Sequence, residues 1–176
     1  MANDLPFIDP TRGGSKTQLA RAPRPMDLAG MTVGLLDNTK EQADIILETI
    51  GKALREKYGV AEVIMRRKEY YSKPAPAELI NEMANKVQVA IAAVGGGGSC
   101  TLCSVHDTVE FEKRGIPATM VLTGVFKNAA VHQFRSRGLD GHPFVELPHP
   151  ISNLTPAEMR EVTLRYVDEI VRNLTT

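Results

Sequence analysis

Two cysteines directly follow a run of glycines near the middle of the chain. Residues 95–98 are all glycine, Ser99 comes next, and Cys100 and Cys103 follow with two residues between them. Glycines let a backbone turn tightly and bring its amides close to a ligand, and a helix starting there adds positive potential. Such a position lowers a thiol pKa from about 8.5 to between about 3.5 and 7.5. We therefore expect at least one reactive cysteine.

Other polar groups accompany the two thiols. In a helix that begins near Cys100, a step of about 100 degrees per residue puts Asp107 between the two cysteines and His106 just beyond Cys103. These four side chains share one face and combine a nucleophile, a second thiol that can resolve a mixed disulfide, and a proton donor or acceptor. The opposite arc, which we expect to pack against a sheet, carries Leu102, Val105 and Val109.

Short apolar runs alternate with amphipathic stretches from Met31 onward, which is typical of successive β-α units. The predicted strands are residues 32–36, 60–65, 87–94, 118–123 and 144–147. The first predicted helix begins at a capping box of Thr39 and Gln42 and ends near Tyr58. The other predicted helices are 77–85, 100–114, 126–137, and 156–171 after a second capping box of Thr155 and Glu158.

Five strands separated by helices predict an α/β fold, a three-layer open parallel sheet with the flavodoxin-like order 2-1-3-4-5. In such sheets the ligand crevice lies beyond the carboxyl ends of the strands, where the strand order reverses. The candidate catalytic residues at that edge are Cys100, Cys103, His106, Asp107 and His149, the last held between two prolines after strand five. The candidate substrate-binding residues are Asp37, Asn38, Gly96, Gly97, Gly98, Ser99, Thr101, Thr123 and Phe126.

Composition limits the class of protein. The 176 residues are 43% hydrophobic and 24% charged, as in an ordinary soluble domain. Lysine plus arginine and aspartate plus glutamate both number 21, so the net charge gives no general attraction to nucleic acid or anionic lipid. No apolar stretch approaches the roughly 20 residues that span a bilayer, and we expect a cytoplasmic protein. Residues 1–28 predict an extended N-terminal arm, and residues 29–176 a single α/β domain.

The segment around the cysteines resembles the UGSC family, named for a motif of selenocysteine or cysteine followed by Gly-Ser-Cys and similar to selenoprotein B of the glycine, sarcosine and betaine reductases. The resemblance covers roughly residues 30–155. It implies a small α/β domain with thiol or selenol chemistry that reductively cleaves a carbon–heteroatom bond. The residues that carry it are 98–101 (GSCT), 104–107 (SVHD), 109–110 (VE), 113–117 (KRGIP) and 148–150 (PHP).

The chain departs from that motif at its first position. Gly97 stands where the family has selenocysteine or cysteine, so the usual leading nucleophile is absent. Cys100 matches the retained cysteine of the motif, and Cys103 is an additional thiol that could restore a pair. Dithiol reduction, cysteine catalysis without redox change and loss of activity therefore all remain open.

The leading hypothesis is a thiol-dependent enzyme that cleaves or reduces a carbon–heteroatom bond in a small polar molecule, with no cofactor. A second hypothesis is a metal-dependent hydratase or lyase, because Cys100, Cys103 and His106 supply three ligands for a transition metal. A third is a non-catalytic binding or sensor subunit, suggested by Gly97. By analogy with other flavodoxin-like sheets, we expect a homo-oligomer or a companion subunit, with pairing through helices or the arm.

Overall fold

The computed structural model describes residues 18–176, so residues 1–17 of the predicted arm lie outside the described residues. The strands are β1 Thr32–Asp37, β2 Glu62–Arg67, β3 Val89–Gly95, β4 Ala118–Thr123 and β5 Val145–Leu147. The α-helices of the described residues are α1 Ala43–Tyr58, α2 Ala77–Ala84, α3 Gly98–Lys113, α4 Lys127–Ser136, α5 Pro156–Leu164 and α6 Val167–Leu174. A short 3-10 turn, Gly124–Phe126, leads into α4.

The strands form one parallel five-stranded sheet with the order β2-β1-β3-β4-β5. This is the flavodoxin-like order that the sequence predicts. Every residue of β3 is buried, as expected for a central parallel strand covered on both faces. The order reverses between β1 and β3, so the loops that follow these two strands lead to helices on opposite faces and leave a crevice between them.

Two apolar clusters cover the two faces of the sheet. One packs α1, α5 and α6 against residues such as Leu35 and Ile91, and the other packs α2, α3 and α4 against residues such as Leu36 and Met120. Successive strand residues point to opposite faces, so Leu35 and Leu36 enter different clusters. The result is the predicted three-layer architecture, which holds the start of each helix at the carboxyl edge of the sheet.

The capping box predicted at Thr39 and Gln42 is wrong. Thr39 has a φ of 62° and Gln42 a φ of 70°, and no side chain among the described residues caps α1. The physical reason is that Asp37 and Asn38 hold the segment as a loop, since their side-chain oxygens accept hydrogen bonds from the amides of Thr39 and Lys40. The capping box predicted at Thr155 is confirmed, with its hydroxyl accepting from the amide of Glu158.

The last predicted helix is two helices. The chain turns at Arg165 and Tyr166, between α5 and α6, and α6 then runs on to Leu174. The break lets each short helix bury its own apolar side chains, Met159 from α5 and Ile170 from α6, in the same cluster beside α1.

Residues 18–28 contain no helix or strand, and they lie against the opposite edge of the sheet from the crevice. The amide of Ala22 and the guanidinium of Arg24 both donate to the carboxylate of Glu112, near the end of α3. Leu28 is fully buried in the cluster that contains α1. The proposed domain boundary at residue 28 stays a prediction. Among the described residues, no helix has the length and apolar character needed to span a membrane.

Candidate functional site

The crevice between the β1 and β3 loops is organised by Asn38. Its Nδ2 donates to the Val94 carbonyl (2.9 Å) and to Ser104 Oγ (3.1 Å), while its Oδ1 accepts from the amides of Val94 (3.0 Å) and Lys40 (3.1 Å). Asn38 is buried, and all of its side-chain hydrogen-bonding groups have protein partners. It therefore ties the end of β1 to β3 and α3 and positions the site from beneath.

The glycine loop forms one wall of this crevice. Gly95 must be glycine, because a Cβ there would lie 2.7 Å from Leu122 Cβ and 2.8 Å from Thr101 Oγ1. The hydroxyl of Thr101 donates to the Gly97 carbonyl (2.7 Å) and closes the loop onto the first turn of α3. No side chain among the described residues caps α3. The Thr101 amide donates to the Gly97 carbonyl (2.9 Å), and the amides of Gly98, Ser99 and Cys100 at the helix start have no intrahelical acceptor.

Cys100 lies directly beneath Gly97. Its side chain is buried, yet its sulfur is 3.7 Å from the position that a Cβ on Gly97 would occupy, and Gly97 is itself half-buried. The backbone of Gly97 therefore lies next to the sulfur, and Cys100 as a whole is 3% exposed.

Cys103 lies one turn further along α3, close to the charged side chains of Lys68 and Asp107. Burial is the main cause that raises its thiol pKa; the negative charge of Asp107 raises it further, while nearby Lys68 lowers it. A hydrogen bond with Ser99 also favours the thiolate. The lowered pKa expected for a cysteine at this helix start is therefore not found at Cys103, since desolvation outweighs the positive neighbours.

Asp107 belongs to a buried ion pair. Lys68 Nζ donates to Asp107 Oδ2 (2.8 Å), the amide of Ala75 donates to Oδ1 (2.8 Å), and both charged side chains are 1% exposed. Lys68 also donates to the Lys73 carbonyl (2.7 Å). The pair thus fastens the loop after β2 to α3. Lys68 was not among the predicted site residues, although it follows the second predicted strand, 60–65, by only three positions.

Of the three residues predicted to pack α3 against the sheet, two are buried and one is exposed. Val105 and Val109 are buried against the sheet as expected, but Leu102 is 41% exposed, which corrects its prediction as a packing residue. The residues of this part of α3 that are buried are instead Cys100, Thr101, Cys103 and Ser104. His106 is partly exposed, and its Nδ1 lies 3.5 Å from Asp107 Oδ1.

A second polar group lies after β4 and β5. His149 Nδ1 is 3.2 Å from Thr123 Oγ1, and the Thr123 hydroxyl is 3.5 Å from the Gly95 carbonyl. If that hydroxyl donates to Gly95, it accepts from His149 Nδ1–H and leaves Nε2 as the free ring nitrogen. Phe126 packs edge-to-face on the His149 ring, with centroids 6.0 Å apart. Thr123, Phe126 and His149 therefore form one cluster, in contact with the glycine loop.

Asp37 and Lys40 lie on the β1 side of the crevice. Asp37 is buried, which raises its pKa; the Thr39 amide and Arg67, whose Nε is 3.2 Å from Oδ2, lower it. The stem of Lys40 lies over the glycine loop, 3.6 Å from the Cβ position at Gly96, and its Nζ is 5.6 Å from the centre of the Tyr71 ring. Lys40 was not predicted as a site residue, because nothing in the sequence distinguishes one lysine in a loop from another.

The structure thus brings most of the candidate residues to one edge but not into one cluster. Asp37 and His149 follow strands three positions apart in the sheet, a separation of about 14 Å at normal strand spacing. The glycine loop lies between them. Across residues 18–176, no three His, Cys, Asp or Glu side chains are close enough to hold a metal ion.

A model of the UGSC family matches residues 6–176, nearly the whole sequence. The chain belongs to the UGSC family. The match confirms the family indicated by the residues around Cys100, whereas the similarity to selenoprotein B stays a prediction. No curated protein matches this UGSC chain. Among solved structures, it is similar to the pilus assembly protein CpaE from Caulobacter crescentus CB15, with 12% identity, a TM-score of 0.42, and coverage of 78% of this chain and 94% of that chain.

Proposed function

We propose that this UGSC family member is a thiol-dependent enzyme that cleaves or reduces a carbon–heteroatom bond in a small polar molecule. The observation that carries the proposal is the position of Cys100, whose sulfur lies 3.7 Å from the Cβ position at Gly97 and directly beneath the glycine loop. The loop is at the reversal of strand order, where open parallel sheets bind their ligands. Cys100 is the nucleophile in this proposal.

The crevice favours a substrate with an anionic group. The uncapped start of α3 offers backbone amides and the positive end of the helix dipole. The ammonium group of Lys40 adds a full positive charge on the other side of the loop. A carboxylate bound between them would place its neighbouring carbon over Gly97, within reach of the Cys100 sulfur.

The proposed reaction uses both thiols. The Cys100 thiolate attacks the carbon that carries the heteroatom, a C–S bond forms, and the heteroatom leaves with its electron pair and takes a proton. Cys103 then attacks the Cys100 sulfur, the disulfide forms, and the carbon fragment leaves as a carbanion that takes a proton. The substrate gains two electrons and the dithiol becomes a disulfide, which an external thiol reductant restores. A carbonyl group beside the reacting carbon would stabilise the carbanion.

His149 and His106 are the candidate proton carriers. His149 is exposed, and its contact with Thr123 orients the ring. His106 is one residue from the buried Lys68–Asp107 ion pair and is partly exposed. Both Asp107 oxygens accept hydrogen bonds from other groups. We therefore assign Asp107 a positioning role, in which it holds α3 and keeps the Lys68 charge near Cys103, and no role in proton transfer.

The burial of both cysteines favours a second candidate function, a non-catalytic binding or sensor subunit. Cys100 is 3% exposed and Cys103 is 8% exposed, and the pKa of Cys103 is raised mainly by burial. A buried thiol with a raised pKa is a weak nucleophile at neutral pH. The metal-dependent alternative has no comparable support, because its three predicted ligands are not assembled.

Alkylation by a charged and a neutral reagent tests the enzyme proposal. Iodoacetate carries a carboxylate next to a carbon–iodine bond, and iodoacetamide has the same reactive carbon without the charge. We expect mass spectrometry to locate the first alkylation at Cys100, with an iodoacetate-to-iodoacetamide rate ratio several-fold above that of a free cysteine peptide. Lys40→Met should remove this preference, and Lys52→Met, which changes an exposed lysine of α1, should keep it.

Two outcomes would decide against catalysis by these thiols. Slow alkylation of both cysteines at equal rates in the native protein would favour the binding-subunit alternative. Loss of the iodoacetate preference in the Lys52→Met control would show that general charge, and not the crevice, causes the preference. The Cys100→Ser and Cys103→Ser variants identify which sulfur reacts in each experiment.

A further inference from the structure

The strand β2 has a free edge. Among residues 18–176 it pairs only with β1, and its other side carries no strand. Its central residues Val63, Ile64 and Met65 are apolar and half-buried. Natural proteins usually protect such an edge with proline, inward-pointing charges or bulges, because an open apolar edge pairs with other strands. None of these devices interrupts the centre of β2.

The free backbone groups of this edge can be assigned. The amides of Glu62 and Lys68 donate toward β1, to the carbonyls of Met31 (3.3 Å) and Asp37 (2.8 Å). Because residues alternate along a parallel strand, the amides and carbonyls of Val63 and Met65 point away from β1. The Met65 carbonyl already accepts a hydrogen bond from the Arg66 side chain (3.0 Å), as an outward-facing acceptor would.

The side chains of β2 divide between the two faces of the sheet. Val63 faces α1, with its Cγ1 3.2 Å from the Cβ position at Gly51. Arg66 faces α2, where its Nη2 donates to Glu82 Oε1 (2.9 Å). By alternation, Val63 and Met65 share the α1 face, whereas Glu62, Ile64 and Arg66 share the α2 face.

We infer that the β2 edge pairs with β2 of a second copy of this chain, antiparallel and about a two-fold axis at Ile64. A two-fold axis perpendicular to the sheet keeps each face continuous, so residues of one face meet residues of the same face. The pairing places Ile64 opposite Ile64, Val63 opposite Met65, and Glu62 opposite Arg66 of the second copy. Val63 and Met65 then exchange backbone hydrogen bonds across the axis, and the Met65 carbonyl, which also accepts from Arg66, uses its second lone pair.

Charge and apolar contact both favour this register. Each Glu62 meets an Arg66 of the other copy, giving two opposite-charge pairs, and all other central contacts are apolar. A register shifted by two residues instead places Ile64 opposite Arg66 or Glu62. The strand sequence Glu-Val-Ile-Met-Arg is therefore complementary to itself in one antiparallel register, which identifies the occupant as a second copy.

A groove beside the strand supports the same occupant. It has a volume of about 380 Å³ and lies between α1 and β2, with an apolar floor of Leu35, Gly51, Val63 and Met65. Its rim on α1 carries Glu48 and Glu56 together with Lys52 and Arg55. A rim with two acids and two bases can face its own copy without net repulsion. The joined sheet would bring the two grooves together over the Val63–Met65 pairs.

The pairing leaves each crevice independent. Antiparallel β2 strands direct the carboxyl edges of the two sheets in opposite directions, so the two glycine loops lie at opposite ends of the assembly. The inference therefore does not depend on the proposed thiol chemistry. A test of the dimer and a test of Cys100 can fail separately.

Disulfide trapping and sedimentation test this arrangement. Opposed residues in a non-hydrogen-bonded antiparallel pair have Cα atoms about 4.5 Å apart, within the range of a disulfide. We expect the Ile64→Cys chain to form a covalent dimer under mild oxidation by dioxygen and copper phenanthroline, which accept the two electrons of the thiols. Arg165→Cys is the control, because Arg165 is exposed, lies outside β2 in the turn between α5 and α6, and leaves the native cysteines unchanged.

The unmodified full chain should sediment at twice the mass of the monomer at micromolar concentration. Ile64→Lys places two like charges on the axis and should raise the dissociation constant by roughly tenfold or more. A monomeric full chain would overturn the inference. A dimer that Ile64→Cys does not cross-link would also overturn it. That result would mean that another surface joins the two copies or that residues 1–17 occupy the β2 edge. Circular dichroism of each variant checks that the fold is retained.

Discussion

At the scale of single residues, Gly97 is a close neighbour of the Cys100 sulfur. The φ of Gly97 is −165°, an extended conformation that any residue adopts, so a side chain fits there without backbone strain. A Cβ at this position lies 3.7 Å from the Cys100 sulfur. We predict that Gly97→Cys forms a disulfide with Cys100 under mild oxidation, because its sulfur would be within covalent reach. Peptide mapping by mass spectrometry should place the disulfide between positions 97 and 100, which distinguishes it from a bond between Cys100 and Cys103.

The matched control is Gly98→Cys, one residue further on. Among the described residues, nothing lies within 4 Å of a Cβ at Gly98, so that thiol should remain free under the same conditions. Equal disulfide formation in both variants would mean that the loop is too mobile for the 3.7 Å separation to matter. No disulfide in Gly97→Cys would show that Cys100 is not accessible from the loop.

The edge of the sheet at which both cysteines lie was predictable from the sequence. Their chemical environment was not. The glycines and the C-x-x-C spacing predict a turn followed by a helix, because they depend on local backbone preferences. The raised pKa of Cys103 depends mainly on its burial, and also on Lys68, which is 35 positions away in the chain but a neighbour in space. Local spacing carries no information about such contacts.

At the scale of elements, the Lys68–Asp107 pair holds the loop after β2 against α3. Both side chains are 1% exposed, and removal of one partner leaves an uncompensated buried charge. We predict that Lys68→Met lowers the free energy of unfolding by about 3 to 5 kcal/mol. Urea denaturation followed by circular dichroism measures the change. The remaining Asp107 charge should also raise the pKa of Cys103, which pH-dependent alkylation would detect.

Lys86→Met is the control for this prediction. Lys86 also pairs with a carboxylate, Glu82, but its side chain is 49% exposed, and exposed pairs contribute only about 0 to 1 kcal/mol. The double variant Lys68→Met with Asp107→Leu should recover much of the lost stability, since no buried charge then remains. A Lys68→Met protein as stable as the control would mean that water reaches the pair.

Sequence patterns predicted elements better than the loops that join them. The strands and most helices follow from apolar periodicity, and β4 has the predicted bounds of 118–123. The capping box at Thr39 failed because Asp37 already accepts the Thr39 amide that Gln42 would have bound, and Asn38 holds the next amide, that of Lys40. The break between α5 and α6 gave no signal, because no proline or glycine marks Arg165 and Tyr166.

At the scale of the whole molecule, the strand order was predictable and the course of residues 18–28 was not. Alternating β-α units restrict the topology to few choices, so the order 2-1-3-4-5 follows from general rules of handedness. The contacts of Ala22 and Arg24 with Glu112 join positions about 90 residues apart, which a single sequence does not reveal. These contacts make Glu112 the junction between the N-terminal segment and the body.

Glu112 is fully buried and accepts hydrogen bonds from four directions. Burial alone would raise its pKa, but His142, Arg24 and the amides of Ala118 and Ala22 lower it from 4.5 to about 2. In the unfolded chain these partners are lost, and the carboxyl group returns to its ordinary pKa. The stability that comes from this difference is therefore fully present above about pH 4.5 and is lost as the pH falls toward 2.

We predict that the free energy of unfolding falls between pH 5 and pH 3 by an amount on the order of 1 to 3 kcal/mol through this group. Urea denaturation at each pH measures it. Glu112→Gln should lower stability at neutral pH, since Arg24 and His142 lose their charged acceptor, and should flatten the fall toward pH 3. Glu69→Gln changes an exposed carboxyl and should leave the pH dependence as it is. An unchanged acid response in Glu112→Gln would assign the loss of stability to other carboxyl groups.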